Sequence, residues 1–191
     1  MNAKAIVVNA LAVKNDINKF YPDSTAKVYN LPFGPIPKEE WFQKETDILK
    51  KYKLPKKYFM ISNQFWIHKD HRTAFRALAL LSQKGYADYE ILCSGKTYDY
   101  RHPQYFDELK SEIEMLGISE KIKFLGYIPK LDQIEIMRNS IAVIQPTWFE
   151  GGPGGGAVYD AVAIGVSAIV SDIDVNKEID NIITLQYNEN K

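Results

Sequence analysis

Glu150 stands immediately before Gly151-Gly152-Pro153-Gly154-Gly155-Gly156, between the apolar run IAVIQPTWF and the helix-like AVYDAVAIG. Glycines between a strand and a helix let backbone N–H groups approach a ligand with no Cβ in the way. The helix N-terminus adds about half a positive charge that attracts anions. The pattern therefore predicts a phosphate cradle made by Gly151, Gly152, Gly154, Gly155, Gly156 and Ala157. A carboxylate repels phosphate, so Glu150 makes sense only if the ligand also carries neutral hydroxyls, which a carboxylate accepts in charge-assisted bonds. A nucleotide sugar has both. Asp160, about one turn into the following helix, can take ribose hydroxyls in the same way, and its plain alternative is an exposed helix acid. For the loop as a whole the alternative is a tight or flexible turn that binds nothing.

A second polar turn, ISNQFWIHKDH, offers Asn63, Gln64, His68, Lys69 and His71. The Lys69 ammonium can neutralise a diphosphate, with a charge-assisted bond worth about 1.5 to 3 kcal/mol; otherwise it is a solvated lysine at a helix start. With His102 the only other histidine, a zinc site lacks ligands, so capping and packing are the roles left to His68 and His71. No metal or cofactor is expected. The ATP-binding P-loop is excluded because no Gly-Lys-Ser/Thr follows the glycines. An NAD-type dinucleotide fingerprint is opposed by the first strand-helix turn, which has no glycine.

The elements that must position these groups alternate. Short apolar runs at 58–62, 89–94, 121–127, 141–146, 167–171 and 182–187 read as strands, near-continuously apolar as in a parallel sheet covered on both faces. Between them, 70–85 reads as a long amphipathic helix and 131–139 as a shorter one. Phe106, Leu109, Ile113 and Leu116 fall on one helical face that Gly117 ends. This predicts a doubly wound α/β sheet, with ligands at the carboxyl ends of its strands. The first 57 residues differ: one strand and helix, an extended proline-punctuated stretch with a linker at 32–37, then a polar helix over KEEWFQKETDILKKYKLP.

A chain of 191 residues can bury a sizeable core without staples, and 46% hydrophobic residues supply one. The formal net charge of zero gives no electrostatic hold on nucleic acid or anionic membrane. Cys93 is the single cysteine, in the apolar run YEILCSG, which fits a buried thiol and a cytoplasmic protein. Both ends read as cut, as in a piece of a longer enzyme.

The order FMISNQFWIHKDH, ILCSGK, then KIKFLGYIPKLDQIEIMRNSIAVIQPTWFEGGPGGGAVYDAVAIGVSAIVSDIDVNKEI closely resembles the C-terminal, donor-binding half of retaining GT-B glycosyltransferases of the group 1 type (family four). The resemblance spans residues 58–187. It implies that residues 1–37 are the end of an N-terminal domain with its linker, and that 38–191 form a Rossmann-like donor domain truncated at its C-terminus. The family's diphosphate-binding lysine falls on Lys69. The arginine that usually accompanies it, five residues earlier, is here the uncharged Gln64. The family's first glutamate, which touches the donor sugar, falls on Glu150. Its second falls on Val158 by strict count. Alignment on Ala161, Ala163 and Gly165 puts Asp160 there instead, in a loop two residues longer than usual. Gly126, Tyr127 and Ile128 match the segment bordering the base, and Gly95 and Lys96 the loop after the second strand.

The resemblance implies transfer of a hexose from a UDP-, GDP- or ADP-sugar to a saccharide or lipid-linked acceptor in polysaccharide assembly, with retention at the anomeric carbon. It makes Glu150 and Lys69 the catalytic pair and a first GT-B domain the partner. It also implies that this stretch alone binds nucleotide weakly and transfers no sugar, and that the longer protein works at the inner face of the membrane. A non-catalytic nucleotide or nucleotide-sugar binding module stays open, because of Gln64. An NAD-type oxidoreductase is the third reading.

Overall fold

A computed structural model describes residues 3–32, 34, 36–43, 47–179 and 183–185. Strand β1 (Ala5–Val8), helix α1 (Leu11–Phe20) and strand β2 (Lys27–Asn30) form a βαβ unit whose two strands pair in parallel, Ala5 opposite Lys27. Of the linker at 32–37, Phe33 and Pro35 lie outside the described residues. Next comes a 3₁₀ turn, Glu39–Phe42, and a single turn α2 (Ile48–Lys51).

The alternating part follows: β3 (Tyr58–Ser62), α3 (His71–Gln83), β4 (Glu90–Ser94), α4 (Tyr105–Met115), β5 (Ile122–Gly126), α5 (Lys130–Arg138), β6 (Val143–Gln145), α6 (Gly155–Ala163), β7 (Ala168–Ser171) and β8 (Ile183–Leu185). The six strands lie in the order β5-β4-β3-β6-β7-β8, all parallel. This is the doubly wound sheet expected. The chain starts in the middle, builds outward to one edge, then returns to lay β6 on the other side of β3, so the order reverses between β3 and β6.

Period-two alternation explains why both faces need helices. Ile61, Ile91 and Cys93 pack with Phe75 and Leu78 of α3 and Leu109 and Ile113 of α4. Met60 and Leu92 point the other way, onto Ile136 and Met137 of α5 and Ala161 of α6. Phe106 and Leu116 border the first cluster, as their spacing predicts. Cys93 is fully buried, and desolvation pushes its thiol pKa up, so it packs as an inert hydrophobe.

The expected helix over KEEWFQKETDILKKYKLP is not continuous. Gln43 is extended, and the Arg138 guanidinium takes the Trp41 carbonyl that a longer helix would spend on its own backbone. Trp41 and Ile48 are each buried separately, so tertiary packing overrides a stretch of good helix formers. The N-terminal unit is held from afar. Ala10, the residue before α1, has no side chain to cap it; the Glu178 carboxylate accepts the Leu11 and Ala12 N–H groups instead, at 2.7 and 2.8 Å. No helix among the described residues is long and apolar enough to cross a membrane.

His71 opens α3 fully buried, stacked on Phe65 at 4.2 Å, and neither ring nitrogen has a hydrogen-bond partner among the described residues. Desolvation first, and the nearby Lys69 charge second, lower its pKa from 6.5 to about 3. The folded state thus holds the neutral ring while the unfolded chain takes up a proton as pH falls below about 6.5. Its contribution to stability is intact above that pH and is lost as pH falls toward about 3. Urea denaturation of wild type and His71→Phe at several pH values should show wild type losing about 1.4 kcal/mol per pH unit more than the variant between pH 6 and 4. Parallel curves would mean that the ring takes its proton without unfolding the protein.

Candidate active site

The turns after β3 and β6 face each other at the reversal of strand order, where a crevice opens beyond the carboxyl ends of the strands. Lys69 ends a 3₁₀ turn, Ile67–Lys69. Asp70 follows in the left-handed region at φ 49° and caps α3, accepting the Thr73 hydroxyl at 2.6 Å. The two turns are tied together. Thr147 Oγ1 and the Trp148 N–H both donate to the His68 carbonyl, at 2.9 and 2.8 Å, and Ser171 Oγ donates to the Thr147 carbonyl at 2.5 Å.

That frame puts the Lys69 ammonium in direct contact with Glu150 Oε1. Gln145, the last residue of β6, donates to the same oxygen at 2.8 Å and to the Gly154 carbonyl at 2.8 Å. Both side chains of the pair are nearly buried, with 10% and 11% exposed. Both bonds fall on Oε1, which leaves Oε2 to accept a ligand hydroxyl. His68 beside them has its pKa lowered, mainly by desolvation and then by Lys69, which keeps the ring neutral at pH 7.

The glycine loop is organised by close approach. The helix begins inside the glycines, at Gly155, earlier than the apolar pattern indicates. Gly155 sits at φ +64°, and a Cβ there would lie 2.8 Å from Gln145 Nε2. The Gly154 N–H donates to Asn176 Oδ1 at 2.9 Å, and Asn176 in turn donates to the Ser171 carbonyl at 2.9 Å. The first-turn N–H groups of Gly156 and Ala157 have no acceptor within the helix. Together with Gly155 they border a cleft of about 350 Å³ that also takes in Asn63, Gln64, Lys69 and Asp160. Gly151 and Gly152 lie elsewhere. Gly151 faces a cleft of about 580 Å³ between α1 and the Trp148–Glu150 turn, and Gly152 is backed by the Asn9 side chain of the N-terminal unit. Gly154 packs on Val158 and Ile179.

A smaller pocket of about 180 Å³ continues from the first through Ser62, Asn63 and Gln64 to Gly95, Lys96, Tyr127 and Ile128. Gln133 Nε2 donates to Ser62 Oγ at 2.6 Å, which lies 2.8 Å from Ser94 Oγ, giving a polar floor across β3 and β4. Neither polar atom of the buried Asn63 amide has a partner among the described residues. An amide held without partners beside a pocket is a ready donor and acceptor for a ligand.

The crevice thus gathers Asn63, Gln64, Lys69, Gly95, Lys96, Tyr127, Ile128, Glu150, Gly155, Gly156, Ala157 and Asp160, while Gly151, Gly152 and Gly154 support its outer side. Asp160 is not the exposed acid of the plain alternative. Its side chain is 8% exposed and bonded to Lys130. Sequence reasoning missed Lys130, Gln133, Gln145 and Asn176. Lys130 and Gln145 sit at strand carboxyl ends or just after, so the rule that found Lys69 also reaches them. Asn176 carried no such signal. No group of three or more metal-ligating side chains occurs among the described residues.

A family model described as glycosyl transferases group 1 matches residues 43–181. No curated protein matches the chain by sequence. Solved structures share its fold. Anabaena Alr3699/HepE, in complex with UDP and glucose, superposes with a TM-score of 0.81 at 16% identity, covering 96% of this chain and 50% of that one. A glycosyltransferase from Rickettsia africae ESF-5 gives 0.80 at 20% identity, covering 97% and 50%. The C-terminal domain of LpcC from Francisella tularensis gives 0.62 at 19% identity, covering 81% and 77%. The chain spans about half the length of the first two.

Proposed function

The chain belongs to the group 1 glycosyl transferases, and on that premise we propose that it is the donor-binding half of a retaining hexosyltransferase. Residues 38–191 hold a nucleotide diphosphate sugar, and residues 1–37 are the end of a first domain with its linker. The observation that carries this reading is the contact of Lys69 with Glu150 at the strand reversal, beside the α6 first-turn amides. One turn offers the cation for a leaving diphosphate, the other the acid for sugar hydroxyls.

The base lies in the smaller pocket against Asn63, Gly95, Lys96, Tyr127 and Ile128. The ribose lies near Asp160, and the diphosphate at Lys69 and the amides of Gly155, Gly156 and Ala157. As the bond from the anomeric carbon to phosphate oxygen breaks, its electron pair leaves with the diphosphate and the acceptor oxygen bonds to that carbon, releasing a proton. Fixed amides and Lys69 stabilise the charge as it builds, and Glu150 orients the sugar through Oε2. The sugar then projects toward the larger cleft under α1, where Trp148 and Phe149 are exposed beside Glu150 and Gly151. A saccharide or lipid-linked acceptor enters there.

The test is donor consumption across a panel of UDP-, GDP- and ADP-sugars with saccharide and lipid-linked acceptors, by this chain alone and with a first GT-B half supplied. The anomer formed is read by NMR. Lys69→Ala is expected to slow transfer roughly 10²- to 10³-fold, the cost of losing one fixed donor to a developing charge. An inverted product would end the retaining reading. Gln64, uncharged beside the diphosphate cleft, favours the second reading of a binding module. That reading wins if donor binds and is never consumed.

A further inference from the structure

We propose that Lys130 is a second diphosphate-binding cation of this cleft, supplying the positive charge that Gln64 does not; the inference rests on the donor-site reading above. Lys130 opens α5, directly after the Tyr127–Pro129 turn that flanks the base pocket, and its side chain borders the same cleft as Lys69, Gln64 and the Gly155–Ala157 turn. It is 46% exposed, so an incoming anion can reach it without displacing packed side chains. Its ammonium has three N–H donors, and Asp160 takes one of them. The Trp41 ring lies 5.1 Å from Nζ and braces the lysine from its own side.

The charge balance of the cleft favours a second cation beside Lys69. Asp160 lines this cleft and Glu150, which lines the neighbouring one, lies against Lys69 at its border, so Lys69 alone sets one cation against two acids. A diphosphate entering that field meets net repulsion. Lys130 brings the side-chain balance to zero, and the α6 amides then tip it toward an anion. Gln64 lies in the same cleft and is exposed, so a cation placed there has room to act in Lys130's stead. The bland alternative is that Lys130 serves only to neutralise the buried Asp160.

The experiment is calorimetric titration of the chain with UDP, GDP and ADP, each paired with its free nucleoside. Lys130→Ala should weaken the diphosphate that wild type binds best by about ten-fold or more, the loss of one charge-assisted bond. The matching nucleoside should bind unchanged. Lys130→Arg should keep most of the affinity, and Gln64→Arg should restore it in the Lys130→Ala background. Equal loss for diphosphate and nucleoside, or none for either, overturns the proposal. In an Asp160→Asn background, where Lys130 has no acid to neutralise, Lys130→Ala should still weaken the diphosphate, and no effect there overturns the proposal too. Wild type that binds no nucleoside diphosphate sinks the donor reading itself and this inference with it. Wild type that binds one while Lys130→Ala binds it equally well sinks only the inference.

Discussion

A Lys69→Met chain is expected to unfold about 3 kcal/mol more readily than wild type, at the lower end of what removing one partner of a buried ion pair costs. Glu150 is the reason. With the ammonium gone, its carboxylate stays in a site where the two side chains are 10% and 11% exposed, with Gln145 Nε2 as its remaining fixed donor. Replacing the acid as well removes the stranded charge, so Lys69→Met/Glu150→Gln should recover most of the loss. Urea denaturation of the four members of this cycle gives the coupling directly. If Lys69→Met differs from wild type by under about 0.5 kcal/mol, the pair behaves like a solvated surface bridge and water reaches Glu150 freely.

The same pair bears on function. A diphosphate that takes the spare donors of Lys69 leaves its bond to Glu150 in place, so the acid stays oriented as the donor enters. Binding should therefore stabilise wild type in proportion to ligand excess over Kd, and Lys69→Met much less.

Gly95→Ala is expected to cost at least about 2 kcal/mol of stability, from strain and overpacking together. A Cβ at Gly95 would lie 1.9 Å from the Asn63 carbonyl oxygen and 2.7 Å from its carbonyl carbon, and the residue sits at φ +141°. The obstacle is backbone, so the turn after β3 must move, taking Asn63 and Gln64 with it. Nucleotide affinity should fall more than ten-fold. Gly85→Ala is the control, because Gly85 also has positive φ, +93°, but nothing within 4 Å of a Cβ. The excess cost at position 95 isolates the contact between the two turns. Equal losses at 95 and 85 would show that this close approach does not shape the pocket.

Gly95 also shows how legibility divides. Its place after the second strand was readable, because a glycine behind YEILCS ends an apolar run. That it touches Asn63, in the turn after a different strand, follows from β3 and β4 pairing in register, Ser62 opposite Ser94. The helix over 38–55 failed for a related reason. Its residues favour helix locally, while Arg138, on another element, claims the Trp41 carbonyl. The start of α6 was displaced because glycines carry no apolar period, so a helix that begins among them leaves no mark in hydrophobicity.

What the sequence determined by itself was local and periodic. It set the strands and helices in chain order, the parallel sheet their apolar runs demand, the glycine turn, and the two polar turns at strand ends. It also marked Glu150 and Lys69 as candidates, since the chemistry of each turn is written in adjacent residues. Which groups meet was decided only by tertiary structure. Lys69 and Glu150 are 81 residues apart, Lys130 and Asp160 are 30 apart, and Glu178 caps a helix 167 residues before it. The Lys69–Glu150 contact exists because the strand order reverses between β3 and β6 and brings the turns after those two strands together. Burial then makes pairing obligatory, because a carboxylate such as Glu150 or Asp160, taken out of water, is tolerable only beside a cation. No local pattern states which cation that will be.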